Sequence, residues 1–227
     1  MSRSIVKAVL RRVRAALRRN PDRFLRDVRG VIHVGANVGQ ERELYRRLGL
    51  SAIWIEPIPD VFAILKENIR HFDDQRAFQC LITDRDDQEY QFHVANNQGA
   101  SSSILELKQH KDIWPEVSYT RTIALRSLTL TSLLQREKIA LSGREALVMD
   151  TQGSELLVLK GALPIIDRFR YVKTEVADFE SYEGCCQLAG MDAFMEEHGF
   201  RKFSRRRFAE RKGGGTYFDV VYKKRSS

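Results

Sequence analysis

The 227-residue chain is predicted to be an α/β protein built on a doubly wound, mostly parallel sheet, closed by an antiparallel strand and preceded by a basic helix. Three observations predict this. Short apolar strands alternate with helical stretches, Gly35, Glu56, Asp150 and Glu175 all fall at strand ends, and the first strand breaks into a glycine turn. In a parallel sheet ligands sit outside the carboxyl ends of the strands, so these four residues are expected along one rim.

The turn lies in the run from Val31 to Gln40, where Gly35 and Gly39 enclose Ala36, Asn37 and Val38. Gly35 is free to adopt a positive φ, and Gly39 is expected to open a helix over residues 40–48 whose free amides attract an anion. The next strand, residues 51–56, ends in Glu56, a spacing that suits a carboxylate receiving a ribose diol. A dinucleotide fingerprint starting at Gly35 would also need glycine at Asn37 and Gln40. Both positions fail, so the turn points to a cofactor without a pyrophosphate, such as S-adenosylmethionine. Two glycines in such a turn also occur for packing alone.

Upstream, Ile5, Val6, Val9, Leu10, Val13 and Leu17 recur at helical spacing with arginines mostly opposite, and Asn20 and Pro21 stop the helix. This helix over residues 4–19 is read either as lying on anionic lipid or as packing on its own domain or a partner. The expected division is a helical extension over residues 1–29 and one domain over residues 30–227.

Downstream of Glu56 come a helix at residues 59–70 and strands at residues 77–82 and 89–94. Residues 96–103 form a polar loop, read either as part of an acceptor pocket or as a plain surface turn. Residues 104–125 are poorly periodic, with a strand candidate at 121–125, and helical character resumes at 127–136. Strand 146–150 delivers Asp150, which either faces the site or N-caps the helical run 156–161. Strand 171–175, helix 187–198 and closing strands 200–204 and 216–223 complete the chain. Between the last two, Arg205, Arg206 and Arg207 are expected at a basic hairpin tip, open to phosphates or simply solvated.

The formal net charge of +8 is uneven. Residues 1–30 and 198–227 each hold ten basic and two acidic residues, which leaves 18 basic against 26 acidic between them. An acidic middle disfavours a surface coated with nucleic acid. Three cysteines make neither a disulfide framework nor a metal site, which fits a reducing cytoplasm. No apolar stretch approaches the length of a membrane span. No cluster has metal-ligand spacing, although Asp150 and Glu175 are able in principle to recruit Mg²⁺.

The motifs together resemble the FkbM-like family of class I S-adenosylmethionine-dependent methyltransferases, which have a Rossmann-like fold. The matching blocks are His33 to Gly39, Ile55 to Pro59, Met149 to Ala162, and Thr174 to Val176 leading to Gly184 and Phe200. They cover residues 30 to about 222. By that resemblance the chain methylates a hydroxyl oxygen of a sugar, glycan or other natural product. The resemblance implies that His33, Gly35, Ala36, Asn37 and Gly39 surround the methionine part of the cofactor, and Glu56 with Pro57 the ribose. Cys80 and Leu81 would face the adenine. Asp150 would face the methyl-transfer site and, with Glu175, supply the candidate base; His33 reads instead as a core histidine, and His93 as remote from the rim. The chain departs from the family where many members carry an acid before the turn, here His33, and a Lys and a Glu around the aspartate, here Val148 and Gln152. The rival readings are a nicotinamide oxidoreductase and a nucleic-acid-binding or nucleic-acid-methylating protein, the last of which would need a base-flipping motif absent here. The expected partners are a small-molecule, sugar or glycan acceptor, and an anionic membrane or partner protein touched peripherally through residues 4–19.

Overall fold

β-branched and aliphatic runs set the central strands, and β1, β2, β7 and β8 stop at Gly35, Glu56, Asp150 and Asp178. The computed structural model describes residues 21–226, so the basic helix expected over residues 4–19 lies outside the described residues. The elements in chain order are β1 (Gly30–Val34), α1 (Arg42–Arg47), β2 (Ser51–Ile55), α2 (Pro59–Ile69), β3 (Gln75–Phe78), β4 (Leu81–Ile82), β5 (Glu89–Ala95) and β6 (Tyr119–Leu128). There follow α3 (Leu130–Arg136), β7 (Ala146–Met149), α4 (Glu155–Gly161), β8 (Tyr171–Ala177), α5 (Leu188–Glu197), β9 (Phe200–Glu210) and β10 (Thr216–Lys224).

Seven strands form one sheet in the order β3-β2-β1-β7-β8-β10-β9. β1 pairs in parallel with β2 and β7, β2 with β3, and β7 with β8, whereas β10 runs antiparallel to both β8 and β9. The doubly wound sheet with an antiparallel closing strand is therefore present. Chain order reverses between β1 and β7, and the crevice of such a sheet opens at that point.

Both faces of the central strands are buried, as a parallel sheet requires. Ile32, Ile53, Leu147 and Val172 pack on one side with Leu133 of α3, Val158 of α4 and Met191 of α5. On the other side Val31, Trp54, Val148 and Tyr171 pack with Tyr45 of α1 and Leu65 of α2. The 3-10 segment Pro21–Asp27 joins this second side: Phe24 and Leu25 enter its core, Tyr171 Oη donates to Asp27 at 2.8 Å, and Lys173 Nζ to Asp22 at 2.9 Å. Residues 21–29 thus fold onto the domain. No helix among the described residues is long and apolar enough to cross a membrane.

Several elements differ from the expectation. The strand expected at residues 77–82 is divided: β3 joins the main sheet, while β4 pairs with β6 in a second, three-stranded sheet β4-β6-β5. The expected helix 127–136 begins only at Leu130, because Ser127 and Leu128 end β6 and Thr129 Oγ1 caps the helix by accepting from Ser132 N at 3.0 Å. The helix expected over residues 40–48 is shorter, Arg42–Arg47. Arg205, Arg206 and Arg207 are not at a hairpin tip; they lie inside β9, paired with β10, and the tip is formed by residues 211–215. Arg206 is held there by Asp219, its Nε donating at 3.0 Å.

Candidate active site

A cavity of about 180 Å³ opens at the β1–β7 reversal, lined by the glycine turn, Glu56, Cys80, Leu81, Asp150 and Gln152 among others. Gly35 is required by the fold itself. Its φ is +78°, and a Cβ there would stand 1.9 Å from the Asp150 carbonyl oxygen, where β7 ends against β1. Gly39 has a different reason: a Cβ there would meet Leu65 of α2 at 2.7 Å, and Gly39 is not in the cavity wall. It lets the turn lie on α2.

The turn's amides are largely engaged by the protein itself, mostly by the end of β2 and Glu56, contrary to the expectation of a ready anion cradle. Gly35 N and Ala36 N donate to Ile55 O at 3.0 and 3.1 Å, Asn37 N to Glu56 Oε2 at 2.9 Å, and Gly39 N to Ala36 O at 2.9 Å. His33, Ala36, Asn37 and Pro57 line the cavity with Gly35, joined by Gln40 and Glu41, which no sequence motif singles out. Asn37 Nδ2 also donates to Gln98 O at 3.2 Å, tying residues 96–103 to the turn. Gly99, Ala100 and Ser102 line the cavity, so this loop is a pocket loop rather than a plain surface turn.

Glu56 is 3% exposed, with Oε1 accepting from Ile58 N at 3.0 Å in addition to the bond from Asn37. Burial pushes its carboxyl up to about 7, and the two amides pull it back. Opposite, Asp150 accepts from the Gln152 side-chain amide, and Gln152 Oε1 accepts from Tyr182 Oη at 2.6 Å. Asp150 does not cap α4. Thr151 N and Gly153 N donate to the Glu155 carboxylate instead, at 2.9 and 3.1 Å, which leaves Asp150 to the cavity. Burial also pushes the Asp150 and Glu175 carboxyls upward, reinforced by neighbouring acids.

Glu175 is not on the rim of this cavity. β8 continues past it to Ala177, and Glu175 faces Asp219 in register on β10. It lines a second, smaller cavity of about 60 Å³ that it shares with Asp150, Lys173 and Asp219. Lys173 sits in register with Val148, the position where many family members carry lysine. Lys173 and Asp219 are detectable in the sequence as lone charges in apolar strands, but their meeting depends on strand order. Among the described residues no cluster of three or more His, Cys, Asp or Glu side chains is arranged to hold a metal ion. His93 on β5 faces Thr122 at 3.0 Å and lies outside both cavities.

His33 is a core histidine that also touches the cavity. Its ring stacks on Trp54 at 5.1 Å and its Nδ1 lies 3.1 Å from Tyr45 Oη. Burial pushes it down to about 4, with Glu41 partly opposing. The unfolded chain therefore binds this proton first as pH falls, and stability contributed above about 6.5 is lost towards pH 4. In denaturation at pH 7 and pH 4, the stability difference between wild type and His33→Phe should change by about 3 kcal/mol in that direction. A difference independent of pH would place the ring in contact with solvent.

Residues 33–202 match the model of the methyltransferase FkbM domain. The 2-O-methyltransferase NoeI of Sinorhizobium fredii is 28% identical over 162 residues, 68% of this chain and 65% of its own length. The chain thus spans just under two thirds of that relative. Among solved structures, Streptococcus pneumoniae Sp1610 in complex with S-adenosyl-L-methionine covers 88% of this chain and 67% of its own, at 10% identity and a TM-score of 0.50. The METTL16 methyltransferase domain covers 94% and 68%, at 12% identity and a TM-score of 0.51. Such distant likenesses show the fold, a Rossmann-like class I methyltransferase sheet, and the family model covers the turn, Glu56, Asp150 and Glu175 alike. The chain belongs to the FkbM methyltransferase family.

Proposed function

We propose that the protein is an S-adenosylmethionine-dependent O-methyltransferase acting on a hydroxyl of a sugar, glycan or other natural product. The observation that carries this reading is that Glu56 and Asp150, which follow the two strands flanking β1, both line one cavity at the strand-order reversal. The donor set suits the cofactor. Glu56 offers a buried carboxylate for a ribose, Cys80, Leu81, Ile58 and Phe92 offer an apolar wall for adenine, and Gly35 with Asn37 and Gln40 surrounds the remainder. When bound, that cofactor supplies an electrophilic methyl group. NoeI, a 2-O-methyltransferase by name, supports an oxygen acceptor.

The chain's own task is to orient a hydroxyl and take its proton, and a positioned base contributes roughly 10²–10⁴-fold. Asp150 is the first candidate, because Tyr182 and Gln152 fix its carboxyl from behind. Free Cys80, Cys185 and Cys186 support a cytoplasmic setting. The arginines of residues 4–19 support peripheral contact with an anionic membrane or a partner protein.

S-adenosylmethionine and S-adenosylhomocysteine are expected to raise the melting temperature whereas NAD does not, since a ligand bound by the folded state alone stabilises it. Stabilisation by NAD alone would sink the reading. Glu56→Ala should weaken S-adenosylhomocysteine binding, measured by calorimetry, by about 1–3 kcal/mol through lost charge-assisted hydrogen bonds. Unchanged affinity would show that Glu56 serves only the turn.

A further inference from the structure

Residues 104–125, poorly periodic in the sequence, carry a buried histidine on which one wall of the cavity leans. The 3-10 segment Gln109–Asp112 is fixed by Lys108 N and His110 N, both donating to Ser181 O at 3.0 Å. It lays the His110 ring, 4% exposed, against Trp114, Tyr182 and Tyr217, with ring centroids 4.6, 5.1 and 5.9 Å away. His110 does not line the cavity, yet it reaches the loop that does. Its Nε2 lies 3.2 Å from Oγ of Ser101, the residue between the cavity residues Ala100 and Ser102.

Neighbouring bonds fix which atom donates. Asn97 Oδ1 accepts from Ser101 N at 3.1 Å, and Asn97 Nδ2 donates to Ser101 Oγ at 2.9 Å. The Ser101 hydroxyl hydrogen is then left for His110 Nε2, which places the ring proton on Nδ1, 2.8 Å from Tyr217 Oη. Burial pushes the imidazole down to about 4, partly opposed by Glu116, so near neutral pH it is uncharged and Nε2 accepts. The loop needs such an anchor, because Gln98 and Gly99 hold φ of +57° and +79°, a backbone that persists only when its surroundings impose it. The same ring packs on Tyr182, whose Oη donates to Gln152, the residue that bonds Asp150. Ser103 Oγ closes the circuit by donating to Gln152 O at 2.7 Å. One imidazole thus stands behind both the loop and the support of Asp150.

We propose that His110 is a positioning residue for methyl transfer: it holds residues 96–103 in place as the wall against S-adenosylmethionine and fixes that wall relative to Asp150. The assignment rests on the methyltransferase reading. A cofactor that binds only while the loop is in place loses apparent affinity in proportion to the time the loop is out. His110 therefore acts on binding without touching the ligand.

Calorimetry of S-adenosylhomocysteine and hydrogen exchange of residues 96–103, both on the full chain, test this. His110→Asn keeps a polar group where Nδ1 stands but does not reach Ser101, and Ser101→Ala removes the hydroxyl alone. Each should raise the Kd about tenfold, the effect of losing one buried hydrogen bond, and speed exchange in the loop until S-adenosylhomocysteine saturates the protein. His110→Gln, whose longer amide reaches the Nε2 position, should bind close to wild type. In the Ser101→Ala background, His110→Asn should cost little more, since both remove the same bond. Gly49→Ala, outside the cavity, should lower the melting temperature and leave the Kd unchanged. Ser101→Ala deletes one buried oxygen and keeps the test decisive should His110→Asn not fold. If S-adenosylhomocysteine fails to bind the wild type, the proposed function falls. If it binds the wild type but binds Ser101→Ala as tightly, or His110→Gln weakens it as His110→Asn does, or Gly49→Ala weakens it as much, the positioning role alone is overturned.

Discussion

Asp150→Asn is expected to cut methyl transfer by about 10²-fold or more while leaving the melting temperature and S-adenosylhomocysteine affinity close to wild type. The substitution keeps the side chain's shape and an oxygen able to accept from the Gln152 amide, so the link through Gln152 to Tyr182 survives. What disappears is the basic site. Transfer of a labelled methyl group into a fractionated extract of the source organism, with the product identified by mass spectrometry, reads the effect whichever molecule in the extract is the acceptor. Because burial raises the Asp150 carboxyl, its basic form accumulates as pH rises, and the wild-type rate should climb with pH while the variant's residual rate stays flat. Full activity in Asp150→Asn would move the base to Glu175 or to solvent, and Glu175→Gln in the same assay tells these apart.

Features set by local sequence are legible in the chain itself, and those set by register are not. β1, β2 and β7 declare themselves as apolar runs that end at Gly35, Glu56 and Asp150, and these ends converge because neighbouring parallel strands share one direction. The division of residues 77–82 depends on a change of partner, from β2 to β6, that no run of side chains records. Ser127 and Leu128 look helical by spacing, yet β6 holds them through its pairing with β4. The sequence places Glu175 on the rim because the strand reads as ending there; two further residues of β8, paired with β10, bring it to Asp219 and the second cavity instead. Arg206 likewise reads as a loose surface charge until β10 supplies Asp219. Lys173 shows the same limit, since its proximity to Asp22 joins positions 151 residues apart.

Gly35→Ala should destabilise the protein far more than Gly49→Ala, although both glycines have positive φ, +78° and +66°. At Gly49 an added Cβ meets nothing within 4 Å, so only the left-handed backbone is penalised, about 1–2 kcal/mol. At Gly35 the same penalty is joined by a Cβ placed 1.9 Å from the Asp150 carbonyl oxygen and 2.7 Å from its carbon. Backbone on both sides of that overlap directly follows central strands, and Asp150 N donates to Val34 O at 3.0 Å beside it, so neither chain yields without straining the end of the β1–β7 ladder. A loss of about 4 kcal/mol or more is expected, a large share of the roughly 5–15 kcal/mol that holds a typical domain folded. Urea denaturation of the two variants measures the contrast, with equal slopes showing that the native state is what changed. Should Gly35→Ala fold after all, relief of the clash must displace Asp150 and the turn together, and S-adenosylhomocysteine binding should fall with it. Equal stability of the two variants would mean that β1 and β7 do not meet as closely at their ends as the overlap requires, and the crevice between Glu56 and Asp150 would lose its physical basis.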